Sequence, residues 1–253
     1  MPRKLGQHFL KDEKTLTAIA EAACGDAVER VVEIGPGRGA LTRHLISRTR
    51  ELHAVELDSA LVPVLEREFG QYPQFHLHHG DVLATDLSQW GAAVITGNLP
   101  YYITSPIIER FLLLGNDFTR AVFLVQEEVA DRLRAGPGSR DYGYLSVHAQ
   151  LFCTVELVCR VPAAAFSPPP KVDSAVVRMV RRPSVPENAE QLLKLMSRGF
   201  AHKRKTLRNN LRPFYPPEVV DSLPEAKLRA EQLSIEQFAD LERRLRTKPA
   251  RSQ

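Results

Sequence analysis

A chain of 253 residues that is 43% hydrophobic and 25% charged can bury one substantial core, carry a small appended domain, and is too apolar to stay disordered. No apolar run approaches the roughly 18 residues of a membrane span. The start, Met1-Pro2-Arg3-Lys4-Leu5-Gly6, has no apolar stretch behind it and reads without a secretory signal. Three cysteines, Cys24, Cys153 and Cys159, with no C-x-x-C pair, argue against a disulfide framework or structural zinc and point to the cytoplasm, with the thiols as core or sheet-face residues.

In chain order, short apolar runs at Arg30–Ile34, Leu52–Glu56, Phe75–His79, Ala92–Thr96 and Ala121–Gln126 read as strands. Leu41–Arg48, Ser59–Phe69 and Ser105–Leu114 between them read as helices. This alternation predicts a parallel sheet with helices on both faces, an α/β fold. Two β-rich stretches follow, Ala149–Val161 and Ser174–Val180, separated by the proline-stiffened loop Ala165–Pro170, and are expected to close the sheet edge as an antiparallel pair. Arg181–Pro186 reads as a linker. Beyond it, Ala189–Lys203, Pro217–Leu223, Leu228–Leu233 and Ile235–Leu245 are helical in pattern, and the last few polar residues are expected to be disordered. The expected domains are residues 1–182 and 187–253.

Charge divides along the same line. From Glu187 onward there are 14 Lys and Arg against 9 Asp and Glu, a net of +5 where the whole chain has +4. A basic tail third suggests a polyanionic partner. Its densest run, His202-Lys203-Arg204-Lys205-Thr206-Leu207-Arg208-Asn209-Asn210-Leu211-Arg212, sits inside a helical pattern. It reads as a phosphate-binding face, with Lys203, Arg204, Lys205 and Arg208 as the contacts, or as a solvated helix face.

Val31-Val32-Glu33-Ile34-Gly35-Pro36-Gly37-Arg38-Gly39 runs from a strand through a glycine-rich turn into a helix. Its spacing is G-x-G-x-G, rather than the G-x-G-x-x-G that seats a pyrophosphate. Glu56 ends the next strand, where a carboxylate can accept both ribose hydroxyls of an adenosine. Asp81 follows the third strand and can accept from the exocyclic amine of an adenine. Together they predict an adenosine-containing cofactor beyond the carboxyl ends of the strands.

Asn98-Leu99-Pro100-Tyr101 follows the fourth strand and carries the chemistry. The exocyclic nitrogen of adenine is a poor nucleophile because its lone pair is delocalised into the ring. Two acceptors, the Asn98 side-chain oxygen and the Leu99 carbonyl, can draw the amine hydrogens out of plane and turn the lone pair toward a methyl sulfonium. Pro100 fixes φ and offers no competing N–H. Tyr101 offers a ring for an extruded base, and Phe166 could cover that base's other face. His76 and His78 share a strand face, but no acid or cysteine completes a metal set with them.

At these motifs the sequence resembles the ribosomal RNA adenine N6,N6-dimethyltransferases, and within them the bacterial small-subunit (16S) branch. The resemblance runs from Gly6-Gln7-His8-Phe9-Leu10 to Lys203–Leu211 and takes in Tyr142–Val147 and the Phe166–Ser174 loop. It implies a Rossmann-like, class I S-adenosylmethionine-dependent methyltransferase with a small helical carboxyl-terminal domain that grips RNA. The cofactor would contact His8, Leu10, Gly35, Gly37, Glu56, Asp81 and Asn98. His8 stands where many relatives carry Asn. The target would be two adjacent adenosines in the 3′-terminal hairpin of 16S rRNA, within an immature small subunit. The protein is expected to act as a monomer, without metal or membrane. Large-subunit (23S) RNA, DNA adenine, and a non-enzymatic ribosome-assembly role are the competing readings.

Overall fold

The computed structural model describes residues 8–25 and 27–246. Gly6, Gln7 and the polar tail beyond Arg246, on which expectations were placed, lie outside the described residues. The chain divides into two compact units, residues 1–130 with 153–181, and residues 131–152 with 182–253.

The first unit opens with a two-residue strand, β1 (Phe9–Leu10), and helix α1 (Glu13–Cys24). Asp12 caps α1, its carboxylate accepting from the Thr15 backbone N–H at 2.9 Å and the Thr15 hydroxyl at 2.6 Å. Leu16, Ile19, Ala20 and Ala23 share one helix face and are buried. Gly25, at φ 58°, ends the helix and donates to the Glu21 carbonyl. Then β2 (Val28–Ile34), α2 (Ala40–Leu45), β3 (Thr49–Glu56), α3 (Val62–Phe69), β4 (Phe75–His79), β5 (Ala93–Asn98), α4 (Thr104–Leu112) and β6 (Phe118–Gln126) alternate as expected. Helix α5 (Glu127–Arg134) leads out of this unit and α6 (Tyr144–Phe152) leads back. Strands β7 (Cys153–Val161), β8 (Phe166–Ser167) and β9 (Ser174–Arg181) follow.

Seven strands form one sheet in the order β4-β3-β2-β5-β6-β9-β7. The first five run parallel, and β9 pairs antiparallel with both β6 and β7, which closes the edge as the sequence suggests. Ala121–Val125 of β6 are buried without interruption, as a strand covered on both faces requires. Edge strand β7 instead alternates between sheltered and exposed residues. The separate β1–β8 pair sets Leu10 opposite Phe166 and Phe9 opposite Ser167.

One expectation fails at Ala149–Phe152, read as strand and found in the last turn of α6. Val147 and Leu151, one helical turn apart, are buried in the second unit's core, and that burial selects the 3.6-residue period.

The second unit adds α7 (Ala189–Phe200), α8 (Leu207–Leu211), α9 (Pro217–Asp221) and α10 (Ile235–Arg246). Its core gathers Leu192, Leu195 and Met196 of α7, Leu207 and Leu211 of α8, and Phe238, Leu241 and Leu245 of α10. Each set sits at helical spacing. Leu228–Leu233, expected as a helix, is reduced to a single 3-10 turn at Ala230–Gln232, whose start is capped by the Gln232 side chain accepting from the Arg229 N–H. No helix among the described residues is long and apolar enough to cross a membrane.

Candidate active site

Strand order reverses between β2 and β5, and a cavity of about 440 Å³ opens at the carboxyl ends of the strands there. A crevice at such a switch point is where open parallel sheets bind ligands, and this volume lies within the range of small-molecule sites. Its whole lining belongs to the first unit.

The floor is the glycine turn. Gly35, Gly37 and Gly39 have φ of 64°, 60° and 77°, a region that side chains strain to enter. A β-carbon at Gly39 would also lie 2.2 Å from Cε2 of Phe69, so this glycine is required by packing as well as by conformation. The Gly37 N–H donates to Glu56 Oε2 at 3.0 Å, and the Asp58 N–H donates to Glu56 Oε1 at 2.8 Å. The Glu56 carboxylate is thus fixed at the end of β3, buried, with lone pairs left on both oxygens. Burial pushes its pKa up, against the two N–H donors that pull it down.

Asp81, just after β4, lines the cavity from an exposed position. Its Oδ1 accepts from the Leu83 N–H at 2.8 Å, which orients the carboxylate. At the amino terminus, His8, Phe9 and Leu10 line the opposite wall. The Phe9 ring lies over the glycine turn, 3.1 Å from where a Gly37 β-carbon would be, and carries the Arg38 guanidinium 4.9 Å from its centroid.

Asn98 ends β5. Its Nδ2 donates to the His8 carbonyl at 3.0 Å, which commits that face of the carboxamide and leaves Oδ1 as the acceptor. Leu99 is buried, and its N–H extends the ladder to Leu124 at 3.1 Å. The chain then turns rigidly, with the Ile103 N–H and the Thr104 hydroxyl both donating to the Pro100 carbonyl. The Tyr101 hydroxyl hydrogen-bonds Ser174 Oγ at 2.8 Å, and its ring stacks with His8 at 5.9 Å between centroids. The His8 Nδ1 is 2.8 Å from the Pro168 carbonyl.

Phe166 requires a correction. Its ring is 1% exposed, packed in the core with Leu10, Leu16 and Ile19, and the cavity is lined by Ser167 instead. Antiparallel pairing with β1 turns alternate residues to opposite faces, and Phe166 takes the apolar one.

The basic run is also placed differently. Residues 201–205 form turns between α7 and α8, so Lys203, Arg204 and Lys205 are not helical, whereas Leu207–Leu211 of the run, with Arg208, form α8. The buried Asn210 side chain donates to the Gly199 and His202 carbonyls at 2.6 and 3.2 Å and holds the chain out of helix. Lys203, Arg204 and Lys205 are exposed, with the Lys203 ammonium donating to the Arg140 carbonyl at 2.7 Å. Arg208 pairs with Asp221, which Arg212 also engages, so the trio carries one net positive charge. The two guanidiniums hold the Asp221 carboxyl at about 2.

His76 and His78 stack on His53, which also stacks on Trp90. Burial pushes the His53 imidazole down to about 4, so it is neutral at pH 7. Among the described residues no three potential metal ligands converge.

Sequence reasoning gave no role to Glu33, which lines the cavity at 1% exposure. The Thr42 hydroxyl donates to its Oε2 at 2.7 Å, yet burial, helped by the nearby Glu56 charge, pushes its pKa up to about 8. The signal was a carboxylate set among Val31, Val32 and Ile34 in the buried half of β2. Tyr102, exposed at the cavity's rim, was also missed.

A parallel sheet closed by an antiparallel pair, with a glycine turn after β2, an acid at the end of β3 and a ligand crevice at the switch point, defines a Rossmann-like class I methyltransferase fold. Residues 1–247 match the family described as ribosomal RNA adenine dimethylase, and the chain belongs to that family. It is 44% identical to a Synechococcus elongatus protein named Ribosomal RNA small subunit methyltransferase A, over 94% of this chain and 93% of that one. Among solved structures it resembles a dimethyladenosine transferase from Plasmodium falciparum, with TM-score 0.81 and 29% identity over 92% and 96% of the two chains. It also resembles the 23S rRNA methyltransferase ErmE, with TM-score 0.74 and 28% identity over 94% and 99%.

Proposed function

We propose that the protein transfers methyl groups from S-adenosylmethionine to N6 of two adjacent adenosines in the 3′-terminal hairpin of small-subunit ribosomal RNA, dimethylating each. Family membership and the name of the 44% identical relative support the reaction and the RNA. The observation that supports this reading is that Asn98 is pinned through its Nδ2, which would leave Oδ1 as the acceptor toward a substrate at the cavity.

The site suits the adenosine-containing donor. A β-carbon at Gly35 would meet nothing within 4 Å, so the backbone there faces open space, and the pinned Glu56 carboxylate retains acceptor capacity for ribose hydroxyls. Glu56 would hold the ribose, Asp81 the adenine amine, and His8, Leu10, Gly35 and Gly37 the remainder. When bound, S-adenosylmethionine supplies an electrophilic methyl group on a sulfonium. The chain's own residues do the rest. Asn98 Oδ1 and the Leu99 carbonyl accept the two hydrogens of the target amine and localise its lone pair, while Tyr101, anchored by Ser174, supports the ring. With donor and target both bound, Asn98 and Leu99 would direct the amine lone pair toward the sulfonium methyl group, and the proton lost from nitrogen would pass to solvent. Catalysis here is positioning and electrostatics, with no covalent enzyme intermediate. Repetition on the same nitrogen gives the dimethyl product.

In this reading the helical unit holds RNA phosphates through Lys203, Arg204, Lys205 and Arg208, and the protein acts in the cytoplasm on an assembling small subunit. The likeness to ErmE makes large-subunit RNA the competing substrate. The test is methyl transfer to unmodified small-subunit particles, small- and large-subunit RNA, and single- and double-stranded DNA, with nucleosides read by mass spectrometry. N6,N6-dimethyladenosine in small-subunit RNA at the paired positions is expected. Product only in large-subunit RNA or DNA would overturn the substrate, and none in any of them the reaction.

A further inference from the structure

Tyr102 is 61% exposed, the most exposed aromatic residue among those described, yet it lines the same cavity as Asn98 and Tyr101. Its ring meets no other aromatic ring and its hydroxyl no hydrogen-bond partner among the described residues. An exposed aromatic ring that lines a cavity offers a face on which a ligand held there can stack.

Its setting says what it binds. Tyr101 and Tyr102 are consecutive on a 3-10 turn, Tyr101–Ile103, where successive side chains diverge by about a third of a turn. Tyr101 is therefore directed inward and anchored on Ser174, while Tyr102 is directed to the rim. The turn is braced by the two hydrogen bonds to the Pro100 carbonyl, so the Tyr102 ring is presented on rigid backbone and loses little entropy on contact. Phe166, the other aromatic expected to serve the substrate, is sealed in the core and offers no surface.

We propose that Tyr102 is a stacking platform for the unpaired nucleotide next to the target adenosine, and so a positioning residue for RNA. This rests on the RNA-methylating reading above. A base extruded into the cavity leaves its neighbour at the rim, and every base has a π-face that an exposed aromatic ring can take. Two adjacent target adenosines would use the platform in turn, one held at the rim while the other is in the cavity.

The experiment compares wild type with Tyr102→Ala, Tyr102→Phe and Tyr102→Trp on small-subunit RNA, measuring KM for RNA, kcat, and S-adenosylmethionine affinity by calorimetry. A second arm follows the fluorescence of 2-aminopurine placed beside the target adenosine. The expected result is a rise of about tenfold or more in KM for RNA for Tyr102→Ala, equivalent to about 1.4 kcal/mol. Donor affinity should be unchanged, Phe and Trp should restore KM, and 2-aminopurine quenching should be lost only with Ala. An unchanged KM in Tyr102→Ala, a loss of donor affinity in its place, or failure of Phe to restore KM would each overturn the inference. Were wild type itself inactive on every RNA, the functional reading would fall; a normal Tyr102→Ala beside an active wild type would sink the platform alone.

Discussion

Replacing Glu33 by glutamine isolates the most perturbed carboxyl in the cavity. Glu33 is 1% exposed, accepts one hydrogen bond from Thr42, and has its pKa raised from 4.5 to about 8, chiefly by burial. Between those two values the folded state retains a proton that the unfolded chain releases, so folding stability falls as pH rises through the window. The slope is at most about 1.4 kcal/mol per pH unit. From pH 5 to pH 7 the wild type therefore loses up to about 3 kcal/mol from this group, and up to about 4 kcal/mol by pH 8. Relaxation around the charge and water entry reduce both figures. The carboxamide of Glu33→Gln would keep an acceptor for Thr42 and would not titrate. Urea midpoints of the ligand-free proteins, taken at pH 5, 6, 7 and 8, should nearly coincide at pH 5 and diverge steadily in favour of E33Q. A pH-independent gap, or E33Q the weaker protein at pH 8, would refute the assignment of a neutral buried carboxyl.

Glu56→Ala should weaken S-adenosylmethionine binding by more than tenfold, about 1.4 kcal/mol, and calorimetry showing wild-type affinity would remove the ribose contact. Changing Lys203, Arg204 and Lys205 together to Gln should flatten the dependence of log RNA affinity on log salt by up to about 0.9 for each phosphate left without its cation. An unaltered slope would return that turn to the solvated surface. Asp12→Ala removes two hydrogen bonds at the start of α1 and should cost about 1 kcal/mol of stability in urea melts, with RNA binding unaffected.

Much of this architecture is legible before any coordinates. Buried parallel strands such as β6 announce themselves as unbroken apolar runs, and the glycine turn, Glu56, Asp81 and Asn98 sit at strand ends where topology forces them together. What the sequence conceals is set by tertiary competition. Ala149–Phe152 carries residues that suit either period, and only the second unit's core chooses helix for them. The basic run looks helical until a buried Asn210 ties its start to two carbonyls. Phe166 reads as a substrate contact because loops that carry aromatics invite that role, whereas its pairing with β1 buries it. Glu33 was hidden by its neighbours, since a carboxylate in a strand registers as noise unless the strand is known to be buried on both faces.

In the proposed reaction the Asn98 carboxamide is the acceptor that activates the target amine. Single-turnover methyl transfer by Asn98→Ala, with donor and RNA both saturating, measures that role apart from binding. A chemical step slowed by about 100-fold or more, with S-adenosylmethionine affinity within a few-fold of wild type, is the predicted result. A wild-type single-turnover rate in that variant would contradict it.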